Sequence, residues 1–253
     1  MPDMIKQANI ESSVHCFCPI CKNTDIQFRP LPDFYRIQAE KHGYQYFGQG
    51  EMTAHETYSC SKCGASDRER LYGYWLEQKL QTCSTKLNIL HIAPESGLST
   101  LLQKQSCLNY KTADLMMDNV DYKIDMMAMP IEDNSIDCFI CSHVLEHVEN
   151  DDKAMKELYR ILSPGGWGIL MVPICTTIEH TLEDASHISE AERWKHYGQN
   201  DHVRLYAHDD YVKKIKEHGF KLTEYGEEYF GIETFKGLGL KQTSILYIVE
   251  KYD

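Results

Sequence analysis

The sequence predicts an α/β protein. A doubly wound, mostly parallel sheet is expected over residues 81–253, preceded by a small metal-binding module and connecting helix in residues 1–80. Three observations lead there. From residue 88 onward, short apolar runs alternate with amphipathic stretches, the pattern of parallel strands joined by crossover helices. The first such unit, Asn88 to Leu102, runs Ile89-Leu90-His91-Ile92-Ala93, then Pro94-Glu95-Ser96-Gly97, then leucines at helical spacing. Strand, tight turn and helix in that order offer free backbone N–H groups to a ligand. Finally, two Cys-x-x-Cys pairs stand ahead of this unit, at Cys18/Cys21 and Cys60/Cys63.

Composition narrows the function classes. The chain has 253 residues and a formal net charge of −12. Residues 1–80 carry nine Lys/Arg against ten Asp/Glu, and the remainder 17 against 28, so the acidity lies in the C-terminal part. Such a surface is poorly suited to neutralising many phosphates, which argues against a large nucleic-acid footprint. The N-terminus has no signal-peptide pattern, and the longest apolar runs, such as Ile169 to Val172, are far too short to span a bilayer. A soluble cytoplasmic protein is expected. Ten cysteines at mixed spacings fit a reducing compartment in which four bind metal.

In chain order, residues 1–15 read as a loose arm. The two cysteine pairs then supply four thiolates, the ligand set of a closed, structural zinc site, with Gly64 suiting the turn of the second knuckle. Their 38-residue separation must hold a loop or hairpin, and Tyr44-Gln45-Tyr46-Phe47 is a candidate strand in it. Cys16 stands beside the first pair. Asp67 to Gln81 reads as an amphipathic helix with Leu71, Tyr74, Trp75 and Leu80 near one stripe. Arg68 and Arg70 fall in its first turn, where the helix dipole disfavours cations, a hint of an anion held there. Further strands are expected at Tyr110–Ala113, Tyr122–Ile124, Ile136–Cys141, Trp167–Val172, Phe220–Tyr225 and Ser244–Glu250. Helices are expected at Asn150–Leu162, stopped by Ser163-Pro164-Gly165-Gly166, and at His208–His218. Residues 174–207, polar and rich in histidine, read as an insertion capping the strand ends. Cys138 and Cys141 point to opposite faces of one strand and read as buried thiols rather than ligands.

From Asp125 to Pro173 a specific pattern accumulates. It comprises Asp125, Pro130 and Asp133-Asn134-Ser135-Ile136-Asp137, then His143-Val144-Leu145-Glu146-His147-Val148, then Glu157 to Trp167 as Glu-Leu-Tyr-Arg-Ile-Leu-Ser-Pro-Gly-Gly-Trp. In this order and spacing, residues 87–251 resemble the class I S-adenosylmethionine-dependent methyltransferases of the small-molecule branch. Residues 16–80 resemble the zinc-ribbon front of a bacterial group of such enzymes. The resemblance implies a Rossmann-like, seven-stranded sheet. It also implies that the turn Ala93, Pro94, Glu95 and Gly97 passes beneath the methionine part of the cofactor. Asp114, followed by Leu115, would hold the ribose hydroxyls. Asp125 would accept from the adenine amino group, with Met126 against the ring. Ser142 would contact the cofactor, and His143 would face the transferring methyl.

One departure stands out. Where the family carries acidic-x-Gly-x-Gly-x-Gly, this chain has His91, Ala93, Glu95 and Gly97. The Glu95 carboxylate could pair with the cofactor's ammonium group or obstruct the site. Methyl transfer from a sulfonium is an in-line displacement, and a hydroxyl acceptor needs a base. His143 is the first candidate and His202 the second, with Arg204 available to grip an anionic or polar acceptor. The favoured reading is O-methylation of a small polar metabolite or sugar. An RNA base methyltransferase with a zinc finger and a non-catalytic binding protein of the same fold are the alternatives. His143, Glu146 and His147 resemble in position the metal ligands of some quinone-ring methyltransferases. Three such groups could hold a divalent ion, but Leu-Glu-His is common in the superfamily without metal, and here a histidine replaces the acid.

Overall fold

The structure, a computed structural model, describes residues 15–252. The arm expected at the N-terminus lies outside the described residues, apart from His15. The front module is built on the two cysteine knuckles and a short antiparallel pair, β1 (Phe28–Arg29) with β2 (Ser59–Cys60). Between them runs α1 (Asp33–His42), a helix not foreseen in the long inter-knuckle gap. Tyr44 to Phe47, a candidate strand, instead forms turns after α1. The reason is packing: Tyr44 and Tyr46 meet edge to face at 5.8 Å, and the Tyr44 ring lies against Gly198 of the insertion.

The connecting helix α2 (Asp67–Gln81) falls where expected. Ser66 and Glu69 close a capping box: the Ser66 N–H donates to Glu69 Oε2 at 2.8 Å and the Glu69 N–H to Ser66 Oγ at 3.3 Å. Its two N-terminal arginines part company. Arg70 is fully buried and donates to the carbonyls of Leu238 (2.7 Å), Tyr58 (3.1 Å), Ala65 (2.8 Å) and Thr57 (2.5 Å). The carbonyls it satisfies belong to the module, the helix start and the far C-terminal segment, so it ties the three together. Arg68 faces the site described below.

The sheet then unrolls as β3 (Leu87–Ile92), α3 (Ser96–Gln103), β4 (Leu108–Asp114), β5 (Tyr122–Lys123), β6 (Ile136–Ser142), α4 (Asp151–Ile161) and β7 (Leu162–Met171). β7 begins five residues before the expected Trp167, so Ser163 to Gly166 continues into the strand rather than ending in a loop. The cost is a register irregularity opposite Ile136/Cys138, and Gly166 makes it feasible. A Cβ there would sit 2.8 Å from the carbonyl oxygens of Asp137 and Ser163. The insertion comprises β8 (Ile174–Cys175), β9 (Leu182–Glu183), α5 (Glu190–Tyr197) and β10 (Arg204–Ala207), with its own small sheet ordered β8-β10-β9. The chain closes with α6 (His208–Glu217), β11 (Lys221–Tyr225), α7 (Glu227–Phe230), α8 (Ile232–Leu238) and β12 (Leu246–Glu250).

The main sheet has seven strands in the order β11-β12-β7-β6-β3-β4-β5. β5, β4, β3, β6 and β7 are parallel, whereas β12 runs antiparallel between β7 and β11. This is the Rossmann-like, mostly parallel sheet the sequence predicts. Alternate residues feed two cores. Ile89, Cys138, Ile140 and Ile169 pack with α2 and the cysteine module on one face. Leu90, Phe139, Cys141 and Leu170 pack with α4 and α6 on the other. The strand order reverses beside β3, and a crevice opens at such a switch point at the carboxyl ends of the strands.

Candidate active site

The turn after β3 stands at the carboxyl end of that strand, between β3 and α3. Ala93 holds φ 49°, the left-handed region where a family glycine would stand, at a cost of roughly 1–2 kcal/mol for an L-residue. Glu95 does not cap α3 with its side chain. Its carboxylate is held by the Tyr72 hydroxyl and by His91 Nε2 at 2.9 Å. His91 Nδ1 in turn lies 2.9 Å from the Tyr110 hydroxyl, which donates to Ser99 Oγ at 2.8 Å. Burial works against ionisation of Glu95, but the hydrogen bond and charge of His91, the nearby Arg68 and the Tyr72 hydroxyl hold its carboxyl below the usual range. Gly97 serves packing, since a Cβ there would lie 3.0 Å from Ile20 Cγ2 in the first knuckle.

A cavity of about 310 Å³ is walled by the residues that follow β6 and β7, by the segment between the cysteine pairs and the start of α2, and by the insertion. Its lining includes Tyr35, Tyr44, Tyr46, Tyr58 and Tyr197. It also includes Arg68, His143, Glu146, His147 and His202. His143 follows β6 with φ 57°, and its N–H donates to the Met171 carbonyl at 2.8 Å, which fixes the ring at the strand end. Its Nε2 is buried without a partner, and Nδ1 lies 3.5 Å from Glu146 Oε1. Glu146 sits on a 3-10 turn, Leu145–His147, fully buried, with neither carboxylate oxygen hydrogen-bonded. Burial pushes its carboxyl up to about 8. His202 Nδ1 and Arg68 Nε are likewise buried and unpartnered. Burial, then the charge of Arg68, drives His143 well below the usual histidine range. Burial followed by His147 takes His202 down to about 3. Native proteins rarely orphan so many polar atoms in one place, and their convergence on a cavity makes it the candidate site.

The remaining expected residues fall along the strand ends. Asp114, closing β4, accepts through Oδ1 from the N–H groups of Met116 (2.6 Å) and Met117 (2.7 Å). Leu115 beside it is exposed, Asp125 Oδ1 accepts from the Met127 N–H at 2.8 Å, and Met126 is buried. Ser142, the last residue of β6, is buried with its Oγ unpartnered. Pro94 continues the turn between Ala93 and Glu95. Of these strand-end residues, His143 alone lines the cavity of about 310 Å³.

Arg204 requires a correction. It is fully buried and donates to the carbonyls of Leu145 (2.6 Å), Val148 (2.5 Å) and Glu149 (3.1 Å) and to Glu183 Oε1 (2.6 Å). A guanidinium spent on the chain's own backbone cannot grip an acceptor. It positions the turn that carries Glu146 and His147. Sequence reading raised Glu146 only through its likeness to metal ligands beside His143 and His147, and passed over the tyrosines of the module. A glutamate inside Leu-Glu-His carries no signal of burial, and rings spread from 35 to 197 converge only in space.

The four knuckle cysteines, Cys18, Cys21, Cys60 and Cys63, converge with their sulfurs within 4.8 Å. Cys18 Sγ lies 3.7 Å from Cys63 Sγ and Cys21 Sγ 3.9 Å from Cys60 Sγ. A tetrahedron of 2.3 Å zinc–sulfur bonds has edges of about 3.8 Å, so the donors fit that ion. Cys138 and Cys141 are buried in opposite cores, as expected of structural thiols.

Comparison with known proteins bears on the sheet-forming part of the chain. Residues 97–170 match a family described as a methyltransferase domain. The ubiquinone/menaquinone biosynthesis C-methyltransferase UbiE of Haemophilus ducreyi is 27% identical over 125 residues, covering 44% of this chain and 48% of that protein. Its Escherichia coli O1:K1 counterpart is 26% identical, covering 44% and 49%. The chain thus spans about half the length of the curated relatives it matches. Among solved structures, the CMeT domain of the citrinin polyketide synthase superposes with a TM-score of 0.51 at 15% identity, over 78% of this chain and 55% of that one, a likeness of fold. Matched segment, relatives and sheet together support a class I, Rossmann-like S-adenosylmethionine-dependent methyltransferase.

Proposed function

We propose that the protein transfers a methyl group from S-adenosylmethionine to a hydroxyl of a small polar metabolite or sugar in the cytoplasm. The observation that carries the acceptor side is His143: an imidazole nitrogen, buried and unpartnered, lining a cavity of about 310 Å³ at the sheet's switch point. That volume lies at the small end of ligand pockets and suits a metabolite better than a polynucleotide. When bound, the sulfonium supplies an electrophilic methyl group. His143, neutral at pH 7 because it is buried, would accept the acceptor's proton on Nε2 as the oxygen–carbon bond forms and the carbon–sulfur bond breaks. Glu146, 3.5 Å from Nδ1, would orient the ring. The tyrosine wall excludes water and offers ring faces to the acceptor.

On the donor side, Arg68 and Glu95 present opposite charges next to the turn after β3 without forming an ion pair with one another. A cation with an unpartnered Nε beside a carboxylate suits the carboxylate and ammonium of the cofactor's methionine. Asp114 and Asp125 would hold the ribose and adenine ends. The four cysteines would hold a structural zinc that fixes the module walling the cavity.

Calorimetry with S-adenosylmethionine on the full chain tests the donor side, and absence of binding at millimolar cofactor leaves a non-catalytic fold. His143→Ala is expected to keep cofactor binding while methyl transfer falls at least 100-fold, the usual scale of a lost general base. Normal turnover would remove His143 from the mechanism.

A further inference from the structure

The buried polar atoms around the cavity hold more than a base. Glu146, His147 and His202 place one ligand atom each within 4.8 Å of the others, in residues that the sequence separates by up to 56 positions. Glu146 Oε1 lies 3.8 Å from His147 Nε2, and the His147 and His202 rings meet edge to face at 4.8 Å. Glu146 is completely buried with both oxygens unpartnered, and His202 Nδ1 is buried and unpartnered as well. A carboxylate buried without hydrogen bonds needs either a proton or a cation.

His147 favours the cation. Its Nδ1 lies 3.3 Å from Asp201 Oδ2, which turns Nε2 toward Glu146. A carboxylate behind a histidine, fixing its tautomer and aiming the other nitrogen inward, is the usual outer support of a metal-ligating imidazole. Arg204 braces the backbone of the same turn from behind, and the Val203 N–H donates to the Glu146 carbonyl at 2.8 Å, tying the two ligand-bearing segments together.

We propose that Glu146, His147 and His202 bind a divalent metal ion in the cavity, separate from the four-cysteine site. Two imidazoles and one carboxylate leave coordination positions open toward the cavity, the donor set of hard-to-borderline ions such as manganese(II) or iron(II) rather than of a closed thiolate site. The ion's catalytic role rests on the proposed methyl transfer; its binding does not. It would take the acceptor's oxygen as a ligand and lower the hydroxyl's pKa. The proton then passes to His143, the oxygen bonds to the methyl carbon and the sulfonium leaves as a neutral thioether. Acceptors with two adjacent oxygens, which can chelate, become the preferred substrate class.

The test uses the full chain with its cysteine site loaded with zinc. Manganese(II) is titrated in, and unbound ion is followed by electron paramagnetic resonance. One saturable equivalent is expected in the wild type, lost in Glu146→Gln and in His202→Ala and retained in His187→Ala, a histidine outside the group. Glu146 makes no side-chain hydrogen bond, so Glu146→Gln is expected to keep the fold and the circular dichroism of the wild type. No saturable binding in the wild type, or binding that survives both substitutions, overturns the proposal. Calorimetry with S-adenosylmethionine on the same samples separates the two readings. Cofactor binding without manganese binding sinks the ion and keeps the methyltransferase; manganese binding without cofactor binding does the reverse.

Discussion

Arg68 shows how much one side chain can decide. Its position in the first turn of α2 is unfavourable for a cation, and the structure explains it by placing the guanidinium in the crevice with Nε unpartnered. Arg68→Met is expected to weaken S-adenosylmethionine binding by about 1.5–3 kcal/mol, roughly 10- to 150-fold in Kd, the scale of a charge-assisted hydrogen bond. Calorimetry reads it, and an unchanged Kd would release Arg68 from the cofactor. Glu51 offers a pH-dependent counterpart. It is buried between the module and the sheet, accepts from the Tyr247 hydroxyl at 2.7 Å, and burial pushes its carboxyl up to about 7. Because the folded value is raised, its contribution is fully present below the ordinary value of 4.5 and is lost as pH rises through 7. Glu51→Gln keeps an acceptor for Tyr247. It should therefore stabilise the fold relative to wild type at pH 8 by on the order of 3 kcal/mol, read as a raised melting temperature, and give no gain at pH 4. Equal effects at both pH values would show that Glu51 ionises freely.

Among the elements, α2 and α5 hold the cavity in shape. α2 is fixed through Arg70, whose guanidinium satisfies four main-chain carbonyls from three segments. Arg70→Met would fill the space and leave those carbonyls unpaired, at a cost of about 3 kcal/mol or more, readable as a lower urea midpoint. A midpoint within error of wild type would mean that solvent replaces the arginine. α5 ends at Gly198 with φ 82°, and a Cβ there would lie 2.8 Å from the Tyr44 ring. Gly198→Ala should strain the helix end by about 1–2 kcal/mol and push Tyr44, a wall of the cavity, out of place. The expected signature is a raised acceptor KM with cofactor affinity unchanged.

At the scale of the molecule, the cysteine module is part of the site. Its first knuckle packs Ile20 against Gly73 of α2 and Gly97 of α3, and its turns at 44–58 close the cavity over the strand ends. Stripping zinc should therefore destabilise the whole chain. A loss of even about 3 kcal/mol corresponds to roughly 10 °C in melting temperature for a chain of this size. A thermal shift assay with and without a strong chelator measures this, and an unmoved transition would argue that the thiols hold no structural ion.

Much of this architecture is written locally. Alternating apolar runs, the Asn150 cap of α4 and the paired cysteines act over a few residues, so the parallel sheet, its ends and the four-thiol group are legible in the chain. So is the place of His143, just past a strand at the carboxyl edge. What the chain did not reveal depends on residues meeting across long separations. Arg204 looked available until tertiary folding supplied three carbonyls to it, and nothing in the chain foretold that Glu146 would be buried without a partner. The pairing of Glu146 and His147 with His202 exists only because the insertion folds back over the 3-10 turn. Sequence determines the elements and their order through short-range periodicity and turn chemistry. Burial and proximity, which set charge, hydrogen-bond satisfaction and metal geometry, are properties of the packed chain alone.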